Sequence, residues 1–209
     1  MVKPTLSHAG SMKAFRCLCL TMCVLLAHCA TARALELRIS AAALERTLKT
    51  QLFNGPEGRY YIRGDARSAC YVYAESPQVS FKDDRVVVHV HTRSKLGTGL
   101  RSTCIGVGLT RDADVSLVPD AEGESIGFRN ARIDRLSDSR ELNFMLVPFL
   151  SRKLPAQMKV NAAEILSKLL QQSVTATGYS LSLDTLKLHS MAVDHNALVV
   201  DVDADMSVR

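Results

Sequence analysis

Leu198-Val-Val-Asp-Val-Asp-Ala-Asp-Met-Ser-Val208 alternates without a break: Leu198, Val200, Val202, Ala204, Met206 and Val208 fall on one side of an extended chain, and Asp201, Asp203 and Asp205 on the other. A period of two sustained over this length is that of a strand with one face on a core and the other in water. Upstream, Tyr179 to Ser190 reads as a second strand, joined to the first through the turn residues Asp194-His195-Asn196. The chain therefore ends in a β-hairpin.

The same period governs Tyr60 to about Leu136. Within Arg85 to Arg93, Val86, Val88 and Val90 alternate with His89, His91 and Arg93. Val79 and Phe81 begin a partner strand across Lys82-Asp83-Asp84, and Cys104 to Val118 and Ser125 to Ile133 make two more, joined through Pro119-Asp-Ala-Glu-Gly123. Connections this short join antiparallel neighbours, so a meander is expected.

Two stretches follow a helical period instead. Ser40 caps Ala41 to Phe53, where Leu44, Leu48 and Leu52 form one stripe and Asn54-Gly55-Pro56 ends the helix. Asp138 with Glu141 opens a second helical stretch; Leu142, Leu146, Phe149 and Leu150 make one apolar face, and Met158, Ala162, Ile165 and Leu169 another. Pro148 and Pro155 each remove a donor, so the expectation is a kinked helix, or two in succession, ending near Ser173. An 11-residue strand of about 36 Å can wrap along 17 helical residues spanning about 26 Å. The fold class is α+β.

The start of the chain has a different character. Lys13 and Arg16 after Met12 precede an uncharged run from Cys17 to Ala27, and Ala32-Arg-Ala34 supplies the small residues of a signal-peptidase site. Residues 1–34 are expected to be a secretory leader starting at Met12, and residues 35–209 a single domain. The apolar run, about 11 residues, falls short of the about 20 a membrane-spanning helix needs. Leu26-Ala-His-Cys29 offers an alternative, lipidation at Cys29 and anchoring to the envelope membrane. The expected location is the periplasm.

Removing the leader changes the charge balance. The whole chain has 26 Lys+Arg against 21 Asp+Glu; Lys3, Lys13, Arg16 and Arg33 lie in the leader, which has no acid, so 22 oppose 21 in the remainder. That near neutrality argues against nucleic acid as a partner. Arg59, Arg63 and Arg67 recur at spacing four, but a solvated strand and turn accounts for them. Cys70 and Cys104 are the only cysteines outside the leader, and in an exported protein such a pair is expected to form a disulfide.

Several constellations could carry chemistry, and each has a plainer reading. Gly123-Glu-Ser-Ile-Gly127 matches the nucleophile-elbow pattern, with Asp184, His189 and Asp194 downstream; Ser125, however, follows a turn and begins a strand rather than linking a parallel strand to a helix. His89 and His91 could supply two metal ligands and Asp201, Asp203 and Asp205 a calcium site, yet solvent-facing strand residues explain both. Gly106-Val-Gly108 lacks the third glycine of a phosphate loop and marks a bulge or bend. No catalytic residue, metal or cofactor is expected, and the protein is read as a non-enzyme.

The order of elements, with Leu146-Val-Pro-Phe-Leu-Ser-Arg-Lys-Leu154 in the long helix, resembles the YceB-like family of small bacterial envelope lipoproteins, which look like relatives of the tubular lipid-binding (TULIP) superfamily. The resemblance implies a strongly curved antiparallel sheet rolled around a long Pro-kinked amphipathic helix, with a short N-terminal helix and an apolar groove for lipid-like ligands. Leu146, Phe149, Leu150, Val86, Val88, Val200 and Val202 are the expected lining of that groove. The partner expected is a lipid or other hydrophobic small molecule, with peripheral association with envelope membranes. The alternatives are a scaffold protein with a filled core and a small serine hydrolase using Ser125.

Overall fold

The computed structural model describes residues 35–208; the expected leader and Cys29 lie outside them. Leu35, Leu37 and Ile39 alternate with polar residues, and Leu35–Ser40 is a strand, β1. Ser40 then ends the strand and caps helix α1 (Ala41–Gln51), its Oγ accepting from the Ala43 N–H at 3.3 Å. The stripe at spacing four faces inward: Leu44 and Leu48 are buried, as are Leu52 and Phe53 beyond them.

The meander follows as β2 (Arg59–Arg63), β3 (Tyr71–Lys82), β4 (Arg85–Leu100), β5 (Thr103–Glu122) and β6 (Ser125–Arg135), paired antiparallel in chain order. Its turns take a left-handed backbone at Asp83 (φ 55°), Arg101 (φ 56°) and Gly123 (φ 62°), each between paired strand ends. The sheet curls because its pairing is repeatedly interrupted. Register shifts fall at Tyr61/Arg63, Glu75/Gln78, Asp114/Val115 and Ser116/Val118, and each bulge adds local twist. The bulge at Ser76-Pro77 also accommodates a proline that could not donate to the ladder of an internal strand.

The second helical stretch does not form one long helix. It comprises α2 (Arg140–Pro148), a π turn (Phe149–Lys153) and α3 (Leu154–Gln157) in continuity, and then stops. Val160–Asn161 is a short strand, β7, paired with Ser125 and Ile126, and Asn161 caps a separate helix α4 (Ala162–Gln172) by accepting from the Glu164 N–H at 2.9 Å. The single long kinked helix is thus corrected, and the expectation of two helices in succession is the one met, with a short strand between them. The break forms because Val160 and Asn161 gain ladder partners on β6 and Asn161 offers a cap. A one-turn helix, α5 (Val174–Thr177), precedes Gly178, which takes the left-handed conformation that closes helices.

The π turn has a physical cause in the sequence. Leu142, Leu146, Leu150, Leu154 and Met158 recur at a strict spacing of four and all are buried. In a regular α-helix that spacing drifts by about 40° per step, which would carry the last of them off the core. One wide turn, closed by Leu154 N–H to Phe149 O, restores the phase. It is placed where Pro148 supplies no N–H, and the Ser151 hydroxyl donates to Val147 O at 2.7 Å.

β8 (Leu181–Asp194) and β9 (Ala197–Val208) form the terminal hairpin through His195 and Asn196, both at positive φ. β1 adds to the far edge of β9, giving a three-stranded sheet in the order β1-β9-β8. Val86, Val88, Val90, Ala113, Val115 and Leu117 of the meander, the leucines of α2 and α3, and Leu198, Val200 and Val202 of β9 share one buried core. The architecture is mixed helix and strand, mostly strand, with a curled antiparallel half-barrel.

Cys70 and Cys104 are joined, with Cα atoms 5.0 Å apart, tying the loop before β3 to the far end of the β4–β5 hairpin. Because the bridge closes a 34-residue separation, the double substitution Cys70→Ser/Cys104→Ser is expected to cost about 3 to 4 kcal/mol, measured as a lower denaturant midpoint. An unchanged midpoint would show that the bridge does not constrain the unfolded chain.

Candidate functional site: an apolar cleft

Between β1 and α4 the core opens to the surface in a cleft of about 230 Å³. Leu35, Leu37 and Ile39 of β1 form one wall, Ala162, Ile165, Leu166 and Leu169 of α4 the other; Ala43, Leu44 and Thr47 of α1 close an end. Its floor is Ile126, Val160, Leu186 and Val202, all buried. Ile165 and Leu169, which the sequence places on one apolar helix face with the buried Met158 and Ala162, are instead 47% and 56% exposed at the mouth. That correction follows from the helix break: a helix begun afresh at Ala162 sets its own phase and sends only part of its apolar face inward.

Arg38 and Thr47 are the only residues of the lining with polar side chains, and both are already engaged. The Thr47 hydroxyl donates to Ala43 O at 3.1 Å, and the Arg38 guanidinium lies 2.5 Å from Glu36 and 3.7 Å from Asp194. Both polar side chains of the lining are thus already paired, and the rest of it is apolar.

Of the seven residues expected to line a groove, two border an opening. Phe149 lies beside a pocket between β2 and α2, with Tyr60, Ile62 and Phe144. Val202 is on the cleft floor. Leu146, Leu150, Val86, Val88 and Val200 are fully buried core residues, and Phe149 is buried and stacked on Tyr60 with ring centroids 5.0 Å apart. The gap between sheet and helix is filled at these positions because α2, phased by the π turn, sits directly on the meander. The opening lies instead where β1 and α4 meet. β1 was missed in the sequence, although the alternation of Leu35, Leu37 and Ile39 signalled it.

The polar constellations are cross-strand pairs. His89 Nδ1 is 2.5 Å from Asp114 and His91 Nδ1 2.7 Å from Asp112. On the terminal hairpin Ser190 bonds Asp201, His189 bonds Asp203, and the Thr185 hydroxyl donates to Asp205 at 2.8 Å. Among the described residues no group of three or more His, Cys, Asp or Glu is arranged to hold a metal ion. Ser125 opens β6 directly after the Gly123-Glu124 turn and pairs with Asn161, so the elbow geometry is not formed there. Arg59, Arg63 and Arg67 do not make a stripe. Arg59 is held by Glu75 at 3.1 Å and Glu57 at 2.5 Å and lies over the Tyr73 ring, its pKa raised chiefly by the Glu75 bond; Arg63 ends β2, and Arg67 is in the following loop.

Among the described residues no helix is long and apolar enough to cross a membrane. No family model, curated protein or solved structure matches this chain.

The His91 bond is the main reason that the Asp112 carboxyl titrates below its ordinary 3.8, partly offset by desolvation. A carboxyl lowered by folding adds stability that is whole above its unfolded value and is lost as pH falls through the folded one. Asp112→Asn should therefore lower the thermal midpoint at neutral pH, with the difference from the parent shrinking as pH falls below 3.8. A difference independent of pH would assign the effect to packing instead.

Proposed function

We propose that this protein is an exported, non-enzymatic carrier that holds an acyl chain or similar apolar molecule in the bacterial envelope, with a fold of the TULIP kind. The observation that carries the proposal is the cleft between β1 and α4: an opening in the core walled by Leu35, Leu37, Ile165 and Leu169, whose two polar side chains are both occupied. Ligand sites are concave, largely apolar and few in a protein. At 230 Å³ the cleft lies below the roughly 300 to 1,000 Å³ that encloses a drug-sized ligand. It suits part of an acyl chain, with the headgroup left in solvent.

The energetics suffice for a chain segment. Each buried methylene contributes about 0.8 kcal/mol, so eight would contribute about 6 kcal/mol before ordering costs. Leu35, Leu37, Ile165 and Leu169 also lose solvent exposure when the cleft fills. Export fits the Cys70–Cys104 bridge, since such bonds persist in oxidising compartments.

A second reading, an envelope scaffold with no ligand, is favoured by a different observation: Val86, Val88, Leu146, Leu150 and Val200, five of the seven residues expected to line a groove, are sealed in the core. One experiment separates the two. Native mass spectrometry of the purified protein, with solvent extraction, is expected to find a bound long-chain molecule, and a fluorescent fatty acid should bind at micromolar concentration. Ile165→Asp with Leu169→Asp, which places charge at the mouth, should weaken that uptake by tenfold or more. A ligand-free protein that takes up no probe would leave the scaffold reading in place.

A further inference from the structure

β4 and β5 run on together past the rest of their sheet. β3 pairs with β4 only as far as Lys95, whose partner on β5 is Gly108, and β6 reaches β5 only from Asp114, so residues 96–107 form a two-stranded arm. Directly paired residues share a face of an antiparallel ladder. The pairs Ser94/Leu109, Leu96/Val107, Thr98/Ile105 and Leu100/Thr103 therefore put Leu96, Leu100, Ile105, Val107 and Leu109 on one side. This row continues the apolar face of Val86, Val88 and Val90, but beyond the core nothing in the described fold covers it: Leu100, Ile105 and Val107 are 61%, 60% and 61% exposed.

The arm is built to be held out. On its other face Gly97 pairs with Gly106, and the strands approach so closely that a Cβ on Gly106 would lie 1.9 Å from Leu96 O. The Cys70–Cys104 bridge anchors its far end to the loop before β3. A tethered arm of this kind presents its side chains in a fixed orientation.

The charge on the arm and at its base is of one sign, with Lys95 on the glycine face and Arg111 on the apolar one. Residues 85–111 contain Arg85, Arg93, Lys95, Arg101 and Arg111 and no Asp or Glu. Among the described residues Lys95, Arg101 and Arg111 have no carboxylate partner: Lys95 lies over the Tyr71 ring and Arg111 donates to Thr110 O. Asp65, in the loop that the disulfide ties to the arm, is already engaged by the Arg67 N–H and the Ser68 hydroxyl.

We propose that this arm docks the protein on an anionic phospholipid bilayer, with Leu100, Ile105 and Val107 entering the interface and Lys95, Arg101 and Arg111 remaining at the phosphates. A contiguous exposed apolar row marks an interaction surface. The cations decide the partner: long basic side chains lay their stems along apolar surface and keep the charge at headgroup level, where anionic lipid attracts them. The arm shares no residue with the cleft, and the docking stands whether or not the cleft holds a ligand.

Flotation of the purified protein with vesicles tests this. Binding is expected to vesicles of phosphatidylcholine mixed with phosphatidylglycerol, to be weak with phosphatidylcholine alone, and to fall with added salt. The triple variant Lys95→Gln/Arg101→Gln/Arg111→Gln, which changes only exposed side chains, should lower partitioning by about a hundredfold, roughly fivefold per cation. Ile105→Ser/Val107→Ser should lower it at least tenfold, with an unchanged thermal midpoint showing that the fold is kept. Equal binding to both kinds of vesicle, unchanged binding in both variants, or no vesicle binding together with self-association that Ile105→Ser/Val107→Ser abolishes would each overturn the proposal, the last by assigning the arm to a second copy of the chain.

Discussion

The concave face of the meander cannot be left in water, and the Leu142-Leu146-Leu150-Leu154-Met158 row is what covers it. Everything else is arranged around that contact. Five buried side chains at a spacing of four demand a helix with one wide turn, and Pro148 sets where the turn falls. Each of these leucines is worth roughly 2 to 5 kcal/mol against alanine, far more than any of the surface ion pairs, which contribute about 0 to 1 kcal/mol each. With that contact made, Val86, Val88, Leu146 and Leu150 are sealed, and the core opens at the margin where β1 and α4 meet.

The margin is open for a topological reason. β1 is an edge strand of the three-stranded sheet and α4 is a helix that packs on β8 and β6, so no backbone ladder joins the two walls of the cleft. Neither sheet's hydrogen bonding closes the gap, and only side chains bridge it. Leu35, Leu37, Ile165 and Leu169 are left half-covered, an arrangement that exposes apolar surface at a cost in free energy unless something fills it.

Much of this was legible in the sequence because period two is hard to mistake. The alternation of Val86, Val88 and Val90, and of Leu198, Val200 and Val202, gave both the strands and their buried faces, whereas Met206 and Val208 at the end of the second run are exposed; Lys82-Asp83-Asp84 and Asp194-His195-Asn196 are turns as their residue types require. The cysteine pair followed from counting. Pro148 and Pro155 signalled a kink or two helices in succession, but the place of the break was not legible, since Met158, Ala162, Ile165 and Leu169 keep a helical period straight through it; only pairing of Val160 with Ile126, a contact across 34 positions, reveals it. The cleft was invisible for the same reason. A gap is a property of how elements meet, and Leu146 and Ile165 look alike in sequence although one is sealed in the core and the other stands at a mouth.

The central claim is that apolar ligands enter between β1 and α4 and not between the meander and α2. Methyl NMR of the purified protein, recorded while a long-chain fatty acid is titrated in, addresses it directly. The account predicts shifts concentrated on Leu35, Leu37, Ile165, Leu166, Leu169, Leu186 and Val202, with Val86, Val88, Leu146 and Leu150 unmoved. Shifts centred on Val86, Val88, Leu146 and Leu150, or no shift at any of these methyls, would contradict it.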